Sequence, residues 1–222
     1  MCATSHPLAA KIAIQMLEQG GNAVDAAIAA AMILNIAEPQ MTGLGGDCFV
    51  LIKPAGSEEV IGLNGSGRSP AGLNADVIRQ AGNKVVPTLG IETVTIPGAV
   101  DAMVRLSKDF GNLGLKAILA PAIHYAQQGI PVGARTAFDW QSSAQFLQGV
   151  AKDFYLLNGQ APTEGQIFRA PQQAEVLRRI ALEGRAGFYV GEVAKDMVAS
   201  LNALGGCRSE EHTSELQSHL NL

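Results

Sequence analysis

Hydrophobic residues recur at helical spacing in the first forty positions of the chain. The stretch "HPLAAKIAIQMLEQGG" predicts a helix that begins near Pro7 and ends at Gly20–Gly21. "NAVDAAIAAAMILNIAEP" predicts a second helix, in which Asn22 is the N-cap and Asp25 completes a capping-box-like pair. This second helix is apolar almost all round and should be buried. The apolar face expected of the first helix consists of Leu8, Ile12, Ile14, Met16 and Leu17.

The pattern changes to short β runs after the second helix. "CFVLIKP" and "EEVIGLN", separated by "AGS", predict a β-hairpin. Further helices are expected near Ala75–Gln80, over Ala99–Phe110 and over Leu115–Gln128, where Pro121 should kink or divide the helix. "ETVTIP" predicts an extended segment. Three more helices are predicted in "AFDWQSSAQFLQ", "PQQAEVLRRIALEG" and "AGFYVGEVAKDMVASLNALGG".

Composition narrows the class of protein. With 222 residues, 47% of them hydrophobic and 16% charged, the chain is long and apolar enough for a globular core. A net charge of −4 gives no electrostatic basis for binding nucleic acid or an anionic membrane. No basic and apolar leader precedes the first helix, which favours a cytoplasmic protein, or a periplasmic one if the true N-terminus lies upstream.

Neither cysteine nor histidine spacing indicates a disulfide framework, a metal site or a cofactor. The three cysteines and four histidines are far apart and form no ligand pair. We therefore expect no metal and no cofactor. These residues are Cys2, Cys48, Cys207, His6, His124, His212 and His219.

Residues 207–222, "CRSEEHTSELQSHLNL", differ in character from the rest. They follow the helix stop Gly205–Gly206 and lack helical or strand periodicity, which predicts a disordered tail. "RSEEHTSELQS" also resembles the translation of a widely used sequencing adapter, codon for codon. The tail is therefore expected to be an artefact, and residues 1–206 to be the authentic but truncated domain.

The glycine-rich stretch "TGLGGDCFVLI" is a candidate for chemistry. A phosphate-binding loop follows a strand and precedes a helix, whose N-terminus holds the phosphate. The order is reversed here, since a helix comes first and a strand follows. The glycines are expected to allow a sharp turn between helix and strand, with lining of a substrate pocket as the alternative.

Four stretches, in order, resemble the N-terminal part of the γ-glutamyltranspeptidase family. They are "TSHPLAAKIAIQMLEQGGNAVDAAIAAAMILNIAEPQMTGLGGDCFVLI", "TVTIPGAVDAM", "LAPAIHYAQQGIPV" and "FRAPQQAEVLRRIALEGRAGFYVGEVAKDMV". The resemblance implies an α+β fold of the αββα N-terminal-nucleophile hydrolase type, of which this chain is the helix-rich N-terminal fragment of the large subunit. It also implies a precursor that cuts itself into a large and a small subunit, which remain partners.

In this family the threonine freed at the start of the small subunit attacks an amide or γ-glutamyl bond, with its own α-amine as base. Water or an amino acid then accepts the acyl group. The resemblance places the nucleophile downstream, so we expect no catalytic residue in this chain and no activity from it alone.

The segment "GLNGSGRSP" departs from the family pattern. Glutathione-cleaving members typically read Asp-Phe-Arg-Glu-x-Ala-Pro there, and the arginine binds the α-carboxylate of the glutamyl group. Alignment on Leu63 and Pro70 puts Ser66 opposite that arginine, and Arg68 lies two positions later, on the same face of an extended segment. Ser66 and Arg68 are therefore the candidate substrate-binding residues, with a surface arginine as the alternative for Arg68.

Three alternatives stay open at this point. "LNGSGR" with "GGDCF" is similar to the oxamate-amidohydrolase-like branch, which would cleave another small amide. Removal of Met1 would expose Cys2 as an N-terminal nucleophile, although the chain continues from there into a helix and not a strand. A non-catalytic helical interaction domain is the alternative from another class.

Overall fold

The computed structural model describes residues 1–206 and 219–221 and has an α+β fold. Its strands are β1 (Cys48–Ile52), β2 (Ile61–Gly65), β3 (Ile130–Pro131), β4 (Ile167–Phe168) and β5 (His219–Asn221). Its helices are α1 (Pro7–Glu18), α2 (Ala23–Ala37), α3 (Ala75–Gln80), α4 (Ala99–Phe110), α5 (Leu115–Gln128), α6 (Ala134–Ser143), α7 (Val150–Tyr155), α8 (Pro171–Glu183), α9 (Ala186–Tyr189) and α10 (Glu192–Ala203).

The chain forms two compact units. The first comprises Met1–Gly43 and Ser107–Leu182, and the second comprises Leu44–Leu106 and Glu183–Leu222. The first unit contains the helix pair α1 and α2, and α5 packs against α2. The second unit contains the three-stranded sheet, in the order β1-β2-β5. Both units are therefore built from segments distant in sequence.

Helix α1 buries a narrower face than its sequence predicts. The buried residues are Ala9, Ile12, Ala13 and Met16. Ile14, expected on the apolar face, is 37% exposed, because it lies about 200° round the helix axis from Ile12. Pro7 occupies the first turn, as predicted, and the His6 side chain caps the helix by accepting from the Leu8 N–H.

Several hydrogen bonds meet at the start of α2. The capping box is confirmed: the Asn22 side chain accepts from the Asp25 N–H, and Asp25 Oδ2 accepts from the Asn22 N–H at 2.9 Å. The same carboxylate, fully buried, also accepts from the N–H groups of Asn112 and Leu113. One acid therefore joins the start of α2 to the loop before α5.

The predicted hairpin is confirmed. β1 and β2 pair antiparallel, with Cys48 opposite Gly65 and Ile52 opposite Ile61. β5 pairs with the other edge of β2, with Leu63 opposite Leu220. The structure thus has a strand at His219–Asn221, where the sequence predicts disorder. Residues 207–218 and 222 lie outside the described residues, and the artefactual origin of the tail stays a prediction.

Four sequence predictions differ from the structure. Helix α5 continues through Pro121, so the predicted division of that helix is wrong, and the alternative of a kink there stays a prediction. The last predicted helix is two helices, α9 and α10, because the chain turns at Gly191, whose φ is 75°. Part of "ETVTIP" is a 3₁₀ turn, Ile91–Thr93, and "AFDWQSSAQFLQ" is helical only to Phe146. Helix α7 and the short β3–β4 pair were not predicted.

Candidate functional site

The second unit brings two loop segments together at one end of the hairpin. Because β1 and β2 are antiparallel, with Cys48 opposite Gly65, the residues before β1 lie beside those after β2. The two segments are joined directly, since Asp47 Oδ1 accepts from the Gly67 N–H at 2.8 Å. The motif "GGD" thus anchors the motif "GSGR".

A third segment, Ile96–Ala99, is bonded to both loops. The Ile96 N–H donates to the carbonyl oxygen of Arg68 at 2.9 Å. The N–H groups of Gly98 and Ala99 donate to the carbonyl oxygen of Gly46 at 3.1 and 3.0 Å. We call these three segments, Gly46–Asp47, Ser66–Arg68 and Ile96–Ala99, the junction. These hydrogen bonds hold the backbone of the junction, in which Ser66 and Arg68 are exposed.

The glycines around the junction divide into two kinds. A Cβ atom at Gly67 would collide with the carbonyl oxygen of Ile96, and one at Gly98 with that of Gly65. Glycine is therefore required at both positions, because another backbone segment approaches too closely for a side chain. A Cβ atom at Gly43 or Gly45 would meet nothing within 4 Å, and neither residue has a left-handed φ. The sharp-turn explanation therefore does not account for these two glycines.

The two predicted substrate-binding residues both belong to the junction. Ser66 and Arg68 are exposed, and they follow directly on β2. The Ser66 N–H donates to Asn64 Oδ1 at 3.0 Å. The hydrogen bond from the Ile96 N–H to the Arg68 carbonyl oxygen fixes the backbone of Arg68, whose side chain is exposed.

The cysteines and histidines of the described residues form no catalytic pair among the hydrogen bonds of this part of the chain. Burial raises the pKa of the Cys48 thiol, which lowers its thiolate fraction at neutral pH. Cys2 lies before α1 and is not on a strand. His6 is a helix cap, and burial lowers its pKa, with Glu38 acting in the opposite direction. No group of three or more His, Cys, Asp or Glu side chains in the described ranges could hold a metal ion.

Comparison with known proteins identifies the family. The family model for γ-glutamyltranspeptidase matches residues 9–219. The chain belongs to the γ-glutamyltranspeptidase family. It is 36% identical over 208 residues to the glutathione hydrolase-like YwrD proenzyme of Bacillus subtilis, covering 92% of this chain and 39% of that protein. It is also 36% identical over 215 residues to the oxamate amidohydrolase proenzyme of Klebsiella pneumoniae, covering 92% of this chain and 40% of that protein.

The fold agrees with solved members of the family. The crystal structure of Helicobacter pylori γ-glutamyltranspeptidase matches with a TM-score of 0.93 and 27% identity, over 98% of this chain and 64% of that one. The predicted α+β, N-terminal-nucleophile hydrolase fold is therefore confirmed. The chain spans about two-fifths of the length of the two curated γ-glutamyltranspeptidase relatives. In the part of the chain that the structure describes, no helix is both long and apolar enough to cross a membrane.

Sequence reasoning missed the residues that hold the junction in place. Asp47 carried one available signal, its position directly before a strand and after three glycines in four residues. Asp101 forms an ion pair of 2.7 Å with Arg185 and donates its N–H to the Tyr189 hydroxyl. These three residues carried no signal, because Asp101 is more than eighty residues from the other two in sequence. Tyr189 and Trp140 are both buried.

Proposed function

We propose that the whole protein is the proenzyme of a γ-glutamyltranspeptidase-family amidohydrolase that cleaves a small amide bearing a carboxylate. The observation that carries the proposal is the match of the family model to residues 9–219, nearly the whole chain. Two relatives at 36% identity are named proenzymes, which supports it. On this proposal the chain supplies residues of the large subunit. The N-terminal threonine of the small subunit then acts as the nucleophile.

The reaction follows from that nucleophile. Its hydroxyl oxygen attacks the amide carbonyl while its α-amine takes the hydroxyl proton, and the amide nitrogen leaves with a proton as an amine or ammonia. Water then attacks the resulting ester and releases the acid, or an amino acid accepts the acyl group. This chemistry needs no cofactor. The absence of a metal or cofactor in the whole protein stays a prediction.

Arg68 is proposed as the residue that binds the substrate carboxylate. A guanidinium offers two parallel donors to one carboxylate, and Arg68 presents its side chain from a backbone fixed by Ile96. Ser66 adds a hydroxyl donor two residues away. A Cβ atom at Gly45 would meet nothing within 4 Å, so the space beside this glycine is open to a ligand or to another segment.

The small subunit is the proposed partner of the large one. The outward face of β1 carries Phe49 and Leu51, which are 69% and 80% exposed. Two large apolar side chains side by side on one strand face are typical of a surface that another segment covers. The covering segment on this proposal is the remainder of the proenzyme.

The second candidate function is cleavage of oxamate or a comparable amide, and one position favours it. Glutathione-cleaving members carry an arginine where this chain has Ser66. Serine is smaller than arginine and uncharged, so the site has more room and one positive charge fewer, which suits a shorter substrate. Oxamate is itself an amide that bears a carboxylate, so the proposed role of Arg68 is the same for both candidates. A cytoplasmic location stays a prediction.

The proposal is tested on the full-length protein recovered from the source DNA. We expect it to release glutamate from glutathione or ammonia from oxamate, and not to hydrolyse acetamide, which lacks the carboxylate. The 222-residue chain and its Cys2→Ala variant should both be inactive, since neither holds the proposed nucleophile. Turnover by the chain that is lost in Cys2→Ala would assign catalysis to Cys2. A folded full-length protein inactive on every carboxylate-bearing amide would favour the non-catalytic interaction domain.

A further inference from the structure

A buried polar cluster lies in the second unit behind the substrate-binding segment. The hydroxyl of Tyr189, a residue that is 1% exposed, donates to the carbonyl oxygen of Pro97 at 2.8 Å and accepts from the Asp101 N–H at 3.0 Å. Arg185 Nε donates to Asp101 Oδ1 at 2.7 Å. The Arg185 guanidinium also lies 4.8 Å from the centroid of the Tyr189 ring. Four interactions thus converge on one tyrosine and the first turn of α4.

The cluster acts on the middle of one junction segment. Pro97 lies between Ile96, which donates to the carbonyl oxygen of Arg68, and Gly98, which donates to that of Gly46. Holding the Pro97 carbonyl fixes the orientation of the peptide that enters α4. The residues on either side of Pro97 are hydrogen-bonded to the other two junction segments, Ile96 to Arg68 and Gly98 to Gly46. The path from Tyr189 to Arg68 therefore runs through Pro97 and Ile96, with a hydrogen bond at each end.

The hydroxyl is suited to a constant structural role. Burial raises the pKa of the Tyr189 phenol, so the hydroxyl stays protonated and donates throughout the neutral range. Its single proton goes to Pro97, and its lone pair accepts from Asp101. A phenylalanine would keep the ring under Arg185 and lose both bonds.

We propose that Tyr189, held by Arg185 and Asp101, is a positioning residue that fixes Arg68 for binding the substrate carboxylate. This inference rests on the proposed function of Arg68. It goes further, because it assigns the positioning of Arg68 to a cluster of residues that does not itself contact the substrate. The inference predicts an effect on KM that depends on Arg68 being present.

The test is a double-mutant cycle in the full-length protein with Tyr189→Phe and Arg68→Ala. We expect Tyr189→Phe to raise KM for the carboxylate-bearing substrate roughly tenfold, with kcat within about twofold. In the Arg68→Ala background Tyr189→Phe should raise KM no further. Tyr155→Phe, a partly buried tyrosine of the first unit, is the matched control and should leave KM unchanged. An equal KM increase in both backgrounds, or none in either, would overturn the inference.

A second measurement separates this inference from the proposed function. Amide hydrogen exchange at Ile96 and Gly98 reports the junction bonds without any substrate. We expect exchange at these two amides to be about tenfold faster in Tyr189→Phe than in Tyr155→Phe. Unchanged exchange would overturn the inference. Unchanged KM in Arg68→Ala would instead overturn the proposed function on which it rests. If Tyr189→Phe does not fold, Arg185→Lys, which keeps the charge and loses the Nε donor, takes its place in both measurements.

Discussion

Replacing Asp25 with asparagine is expected to lower the free energy of unfolding of the full-length protein by about 3 kcal/mol. The carboxylate is fully buried and accepts from the N–H groups of Asn22, Asn112 and Leu113. Asparagine has nearly the same shape, but its NH₂ group would face N–H donors, and the remaining oxygen carries no full charge. At least one of the three donors would then lose its acceptor in a buried site.

Urea unfolding of the two proteins measures this difference. Asp76→Asn is the matched control, since Asp76 is also in the first turn of a helix, α3, but its side chain is 77% exposed. We expect that control to change stability by less than about 0.5 kcal/mol. Equal effects of the two substitutions would show that Asp25 is a local helix cap and does not join α2 to the loop before α5.

Arg68→Ala is expected to lower kcat/KM for the carboxylate-bearing substrate about thirtyfold, which corresponds to roughly 2 kcal/mol of transition-state binding. The physical reason is the loss of a charge-assisted, two-donor contact with the carboxylate. Self-cleavage should be unaffected, because the lost contact is to the substrate and not to the nucleophile. Steady-state kinetics on whichever amide the full-length protein hydrolyses provides the measurement.

Two variants control for charge and geometry. Arg79→Ala removes another exposed arginine of the second unit, whose surface ion pair with Asp76 carries little energy, and should leave kcat/KM unchanged. Arg68→Lys keeps the charge without the planar pair of donors, and should fall between wild type and alanine. Unchanged kcat/KM in Arg68→Ala would make Arg68 a surface residue and place the carboxylate contact elsewhere.

Local signals in the sequence were enough for elements with defined ends. Helices α3, α4 and α5 have the predicted bounds, since capping and punctuating residues mark most of their ends. The Asn74 side chain, for example, accepts from the N–H groups of Asp76 and Val77 at the start of α3, and Gly114 and Gly129 flank α5. The apolar pattern continues through Gly191, and for that reason the sequence predicts one helix where the structure has α9 and α10.

The candidate site was predictable only in part, because its supporting bonds join residues distant in sequence. The motif positions identified Ser66 and Arg68 as candidates without showing what holds them. Asp47 reaches Gly67 across 20 residues, and Tyr189 reaches Pro97 across 92. No periodicity or spacing rule encodes such pairs, since each depends on how separate segments pack. The sequence around Tyr189 therefore does not show that its hydroxyl donates to one backbone group and accepts from another.

The intact mass of the purified full-length protein decides whether this chain comes from a self-cleaving amidohydrolase. Self-cleavage should give two polypeptides whose masses sum to that of the precursor plus one water, the smaller beginning with threonine on N-terminal sequencing. Replacing that threonine with alanine should leave a single uncut chain. A single uncut wild-type chain, folded and stable on prolonged incubation, would contradict the account.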